Sequence, residues 1–233
     1  MDFFQNHYFY FFLLFITIIF PLLASFESRI RYFQKWKKLF TAIFLMMLIF
    51  IPWDIYFSYN NIWHFSDDFT IGLDVFKLPI EEWLFFICIP FACIFTHYVL
   101  VLYFPEIKLN TYTTKIISYI LILTLTIFIL FNYDKWYTLV NFSMGILFTL
   151  IGLKYNIKLL QKFFLTFIVM LIPFFIVNGT LTGTNIVDEV VWYNNLENLN
   201  YRLGTIPVED TIYAFTMILT SLLGTEYFEE KFS

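Results

Sequence analysis

The sequence predicts an all-α integral membrane protein of about seven transmembrane helices, built as two parallel three-helix repeats joined by a connecting helix. Three observations predict it. Of the 233 residues, 60% are hydrophobic and only 14% charged, with a mean hydropathy of +0.74; a soluble domain carries roughly 25% charged residues. Seven apolar stretches approach the length of about 20 residues that a helix needs to cross the hydrocarbon core. An acidic doublet behind a proline opens two of them, Pro79-Ile80-Glu81-Glu82-Trp83 and Pro207-Val208-Glu209-Asp210-Thr211.

The elements follow in chain order. The first span covers 8–26; no basic cluster precedes it and no small-residue cleavage site follows, so it reads as a membrane helix and not a signal peptide. The second covers 38–57, and a polar loop over 58–78 leads to the third at 80–104. The fourth covers 114–131 and the fifth 136–153, joined so closely by Asn132–Lys135 that they form an antiparallel hairpin. The sixth covers 161–178, a second long polar loop fills 179–206, and the seventh covers 207–225. Basic residues alternate in density between loops. Arg29, Arg31, Lys35, Lys37, Lys38, Lys108, Lys115, Lys154, Lys158, Lys162 and Lys231 fall on one side, against Lys77, Lys135 and Arg202 on the other. The positive-inside rule then places the N-terminus outside and the C-terminus in the cytoplasm, in the inner membrane of a bacterial cell.

A repeat runs through this pattern. The first span starts at Tyr8, 71 residues before Pro79, and the fifth starts at Trp136, also 71 residues before Pro207. Residues 1–110 and 135–233 are thus two copies of one unit, and 111–134 form the connecting helix. That connector is a geometric necessity, because three spans reverse the side of the chain and a fourth must return it. The two halves are expected side by side about an axis along the membrane normal.

Carboxylates inside a membrane cost about 2.5–3.5 kcal/mol each on insertion scales and mark function. Pro79 and Pro207 are suited to a first helical turn, which puts the acids at the positive end of the helix dipole. That is also a purely structural role. Neighbouring helical residues point about 100° apart, so one acid of each pair can face the bundle interior, where Glu81 or Glu82 would meet Glu209 or Asp210. Crowded carboxyls in a dry site cannot all ionise, and the outcome is an acid with a base beside it. Asp54 (after Trp53) and Asn178 lie at a similar depth. Arg202, five residues before Pro207, is a candidate partner for Glu209 or Asp210. Trp83 and Tyr213 offer π faces to a cation.

Other chemistries lack support. Net charge of −4 gives no surface for nucleic acid. His7, His64 and His97 share no metal-ligand spacing, no glycine-rich nucleotide loop occurs, and Cys88 and Cys93 read as small buried hydrophobes. A retinal protein would need a lysine in the last span, which has none. The expected cofactor count is therefore zero. A proton-coupled transporter or channel, with the acids as an ion relay, is the alternative reading.

The motifs LPIEEWLFF at 78–86, TIPVEDTIYAF at 205–215, PWD at 52–54 and NGTLTG at 178–183 with VVWY at 190–193 resemble the flavin-independent membrane lycopene cyclases, here with both subunit types fused in one chain. The resemblance implies carotenoid biosynthesis: redox-neutral, proton-initiated cyclisation of lycopene ends, through γ-carotene to β-carotene, by an isomerase of the intramolecular lyase type. It implies Glu81, Glu82, Glu209 and Asp210 as the acid–base set. Asp54, Trp53, Trp83, Asn178, Arg202 and Tyr213 would bind or orient the substrate. The implied partners are membrane lipid, the apolar carotenoid and other enzymes of that pathway.

Overall fold

In the computed structural model, which describes residues 6–231, each acidic doublet begins a long helix at the end of a short β-hairpin. The helices are α1 (Phe9–Ala24), α2 (Trp36–Tyr59, entered through a 3-10 turn at Tyr32–Lys35), α3 (Ile80–Tyr103), α4 (Thr111–Phe131), α5 (Trp136–Tyr155), α6 (Ile157–Leu181) and α7 (Val208–Lys231). Six short strands join them: β1 (Trp63–Phe65), β2 (Asp74–Val75), β3 (Leu78–Pro79), β4 (Val191–Tyr193), β5 (Arg202–Leu203) and β6 (Ile206–Pro207). The architecture is that of an all-α membrane protein. Helices α2 to α6 are long and apolar enough to cross a bilayer. Helix α1 is apolar but has 16 residues, about 24 Å at 1.5 Å per residue, short of the ~30 Å hydrocarbon core.

Local chemistry explains the boundaries. Asn110 caps α4 by accepting from the Thr113 amide at 2.8 Å, and Asn156 caps α6 through the Leu159 amide at 3.0 Å. Asn156 is the single residue between α5 and α6. Both helices therefore run well past their apolar stretches, through Lys154, Lys158 and Lys162, whose long side chains leave the backbone free to stay helical. Pro79 sits one residue earlier than a first-turn proline. It is the N-cap of α3, extended at ψ 150°, because it pairs with Asp74 in the β2–β3 hairpin.

Equivalent elements recur 128 residues apart. Strands β2 and β3 match β5 and β6, and β1 matches β4, with Trp63 against Val191 and Phe65 against Tyr193. Strands β1 and β4 pair antiparallel with each other, Trp63 opposite Tyr193 and His64 opposite Trp192. Two copies of one strand meeting head to tail is the arrangement that a twofold axis through the ribbon produces. The His64 and Trp192 rings stack at its centre, centroids 4.6 Å apart.

Below that ribbon the halves interlock. Helix α1 lies on α3 and α5 lies on α7, while α2 packs on α7 and α6 on α3. The second helix of each half thus completes the core of the other. Met46, Phe50, Phe86, Phe91, Leu160, Phe163 and Leu219 fill the shared interior. Helix α4 stands outside, against α5 and α6, with only Thr114, Ser118 and Leu125 buried. Its apolar outer face suits lipid and would aggregate in water.

Helices α2 and α7 approach closely at Gly224, where an added Cβ would lie 2.9 Å from the Ala42 Cβ. Neither backbone can retreat without moving its helix. Gly224→Val is expected to cost about 1–3 kcal/mol through overpacking, read as a lower unfolding midpoint of the purified protein in detergent.

Candidate active site

The structure separates the two acids of each doublet. Glu81 turns toward its own preceding loop, where Oε1 accepts from the Ile71 amide at 2.8 Å. Glu209 does the same, accepting from the Leu199 amide, ten residues upstream, and from the Thr138 hydroxyl, both at 2.7 Å. These two carboxyls pin the segments that cross the acid end of the bundle. Glu82 and Asp210 turn the other way and line one cavity.

Their hydrogen-bond shells are unequal. The Tyr10 hydroxyl of α1 donates to Glu82 Oε2 at 2.6 Å. Asp210 receives three donors: the Tyr137 hydroxyl on Oδ1, and on Oδ2 the Asn178 amide at 2.9 Å and the Tyr193 hydroxyl at 3.0 Å. Burial and the adjacent Asp210 carboxyl push the Tyr193 hydroxyl well above the usual phenol range, so in the β1–β4 ribbon it remains a donor. Asp54 is 1% exposed, and neither of its oxygens has a hydrogen-bond partner. The Trp63 indole N–H is its neighbour but falls outside hydrogen-bond geometry. Asp54 and Glu82 lie within electrostatic reach of one another, as do Glu82 and Asp210.

The remaining predicted residues divide. Tyr213 and Asn178 line the cavity with the acids. Trp53 stands behind them, its ring 5.2 Å from Tyr213 and 5.9 Å from Trp63, centroid to centroid. Trp83 does not reach the cavity. It is held outside by a hydrogen bond of 3.3 Å from its Nε1 to the Val75 carbonyl, because the residue after Glu82 on a helix faces away from it. Arg202 makes no ion pair with Glu209 or Asp210, a correction to the expected pairing. Its guanidinium donates to the Thr205 carbonyl at 2.7 Å and Asn195 Oδ1 at 3.0 Å, which ties the β5–β6 hairpin to the loop before it.

Tyr10, Tyr137 and Tyr193 were missed in the sequence. Tyr10 and Tyr137 begin the first helices of the two halves, at nearly matched positions, and Tyr193 ends the VVWY run. Tyrosines are so frequent here (16 in all) that position within the repeat is the one usable signal.

The cavity holds about 340 Å³ and is walled by α1, α3, α6 and α7 under the β1–β4 ribbon. Its closed end carries Glu82 and Asp210, and the rest is almost wholly apolar. Ile16 and Phe20 of α1 and Pro173 of α6 line it and are also exposed on the surface of the bundle. The opening is therefore lateral, between α1 and α6.

The profile of the lycopene cyclase family matches residues 7–100 and 134–228. The chain belongs to the lycopene cyclase family. Both matched regions contain one acidic doublet and its tyrosine, and the gap between them is α4 with its flanks. A 52-residue stretch, 22% of this chain, is 35% identical to a protein described as bifunctional lycopene cyclase/phytoene synthase from Aspergillus oryzae (strain ATCC 42149 / RIB 40). The match spans 9% of that relative's length. No solved structure matches the chain.

The loop-pinning role of Glu81 has a direct consequence for this family member. Glu81→Gln keeps an acceptor for the Ile71 amide and is expected to leave stability near wild type. Glu81→Leu strands that amide and costs about 1–3 kcal/mol, measured as a lower unfolding midpoint together with faster hydrogen exchange at Ile71.

Proposed function

We propose that the protein is a lycopene β-cyclase that closes rings by proton transfer alone. One observation carries this reading: two carboxyl groups from opposite halves, Glu82 and Asp210, face the closed end of a single apolar cavity that opens toward lipid. Family membership agrees with it. A long hydrocarbon enters through the lateral opening and places one acyclic ψ-end between the acids.

The chemistry follows from what that end contains. A protonated carboxyl gives H⁺ to the terminal double bond and leaves a tertiary carbocation. The π electrons of the next alkene attack it, a C–C bond closes the six-membered ring, and the positive charge moves to a ring carbon. A carboxylate removes the adjacent proton, leaving the β-ionone double bond. One proton enters and one leaves, so the product is an isomer of the substrate and no electron acceptor takes part. The unequal shells suggest the division of labour. Asp210, with three donors, is suited to wait as the anion that takes the proton back. Glu82 has one donor and faces Asp54 with no counter-charge, and is suited to deliver the proton. Tyr213 and Trp63 offer π faces to the cation. Asn178 holds Asp210 and Trp53 backs the Tyr213 ring, Asp54 acts on Glu82 electrostatically, and Arg202 acts at one remove by bracing the loop. Water excluded from this site cannot quench the cation.

The density of basic residues assigns the hairpin end to the outer face and the N-terminus outside, in the inner membrane of a bacterial cell. Enzymes that desaturate a linear C40 chain would be its suppliers.

Expression in lycopene-accumulating cells, followed by pigment analysis, tests the reading. Wild type is expected to replace acyclic pigment with γ- and β-carotene. Glu82→Gln and Asp210→Asn should each lower ring formation by about 10²–10⁴-fold, the usual worth of a general acid or base. Glu209→Gln, which preserves the acceptor for Thr138 and Leu199, should retain activity. Unchanged pigment with well-expressed wild type defeats the cyclase reading and favours the ion relay. Normal β-carotene from the Glu82 and Asp210 variants defeats the assignment of roles.

A further inference from the structure

Below the acids, the cavity continues along one face of α3, past Phe85, Ile89, Ala92 and Cys93 to Thr96. From Glu82 to Thr96 is 14 residues, about 21 Å of helix at 1.5 Å per residue. Alanine is scarce in this chain, with four among 233 residues, at Ala24, Ala42, Ala92 and Ala214. Two of the four, Ala92 on α3 and Ala214 on α7, are in the cavity wall, and both are buried with 8% exposure. Of the other two, Ala42 is buried where α2 packs closely on Gly224 of α7, away from this cavity, and the surrounding interior is filled mostly by Phe, Leu, Ile and Met. A chain that packs its core with large side chains and keeps methyl groups here leaves a passage open.

The two alanines lie at different depths. Ala214 is four residues beyond Asp210, about 6 Å from the acids, and Ala92 is ten beyond Glu82, about 15 Å. Phe20, on the exposed rim, packs against Phe95 with centroids 6.3 Å apart, so the opening reaches the level of the deeper alanine.

We propose that Ala214 and Ala92 are two gauges on the path of the polyene shaft, setting how long a chain can lie between the acids and the lateral opening. The inference rests on the cyclase reading above. The shaft passes Ala214 first and Ala92 second, then leaves between α1 and α6 into lipid. A large side chain at Ala92 blocks a long polyene and still admits a short one that carries the same ψ-end. A large side chain at Ala214 blocks both.

The test uses the full-length protein in detergent or nanodiscs, with lycopene and a series of lycopene-derived apo-aldehydes that retain one ψ-end on progressively shorter chains. Ala92→Phe is expected to lower lycopene cyclisation roughly tenfold or more, while the shortest apo-aldehyde stays within about twofold of wild type, since hydrophobic pockets discriminate on that scale. Ala214→Phe should lose both substrates. A second block at the deep level, Cys93→Phe, should reproduce the Ala92→Phe pattern. Equal loss of all chain lengths in both deep variants, or no loss of lycopene turnover in either, overturns the gauge. Failure of the wild type to form rings on any member of the series overturns the underlying cyclase reading instead.

Discussion

Five carboxyl groups are buried at one end of this bundle without an ion-pair partner among the described residues. Asp54, Glu81, Glu82, Glu209 and Asp210 are each at most 8% exposed. Removing charge from water without a partner is among the most expensive acts in a fold. At Glu82 and Asp210 the chain meets that cost with neutral donors drawn from distant segments. Tyr10 reaches Glu82 across 72 positions, Tyr137 reaches Asp210 across 73, and Tyr193 and Asn178 come from the ribbon and from α6. Each of these bonds ties one more element to the acid end. The interlocked helices, the hairpins and the ribbon are arranged so that those donors arrive together.

That arrangement makes one site from two copies. The doublets are equivalent in sequence position and begin equivalent helices, yet their inward acids meet in a single cavity and differ in hydrogen bonding. Near-symmetry in the fold supplies two carboxyl groups at short range. Broken symmetry in their donors supplies a difference in character, and acid–base chemistry needs that difference. Two identical acids facing each other would have no preferred direction for the proton.

Much of this was legible in the chain, for physical reasons. Apolar length announces a membrane helix because lipid cannot satisfy a backbone amide, and the repeat announces itself because Pro79 and Pro207 stand at matched distances from Tyr8 and Trp136. The division within each doublet followed in outline from helical geometry, but which acid faced inward depended on the hairpins. Those were hidden. Strands of two or three residues leave no period to detect, and Phe76 and Lys77 turn the first hairpin with positive φ values of 55° and 61°, where a sequence signal would have Asn-Gly. The tyrosine donors were hidden for another reason. A hydrogen bond across some 70 residues is a property of packing, and a chain with 16 tyrosines gives none of them distinction. Arg202 forms no ion pair with the acids because the Thr205 carbonyl and the Asn195 amide oxygen, closer to its guanidinium, take its hydrogen bonds.

The far end of the bundle shows the opposite solution. There Lys35 pairs with Glu229, its ammonium lies 4.3 Å from the centre of the Tyr98 ring, and the Tyr98 hydroxyl donates to Glu226 at 2.6 Å. His97 is buried but satisfied by the Thr166 hydroxyl at 2.8 Å. In this cluster the half-buried charge of Lys35 is met by Glu229, and Tyr98 and His97 are each closed onto a neighbour. A network of that kind holds helices together and has nothing left to offer a ligand. At the acid end, negative groups outnumber positive ones, and Asp54 has no hydrogen-bond partner at all. A fold selected for stability alone would pair or delete such a group. Under the proposed cyclase reading, the protons and the cations they create would supply the missing positive charge beside that apolar cavity.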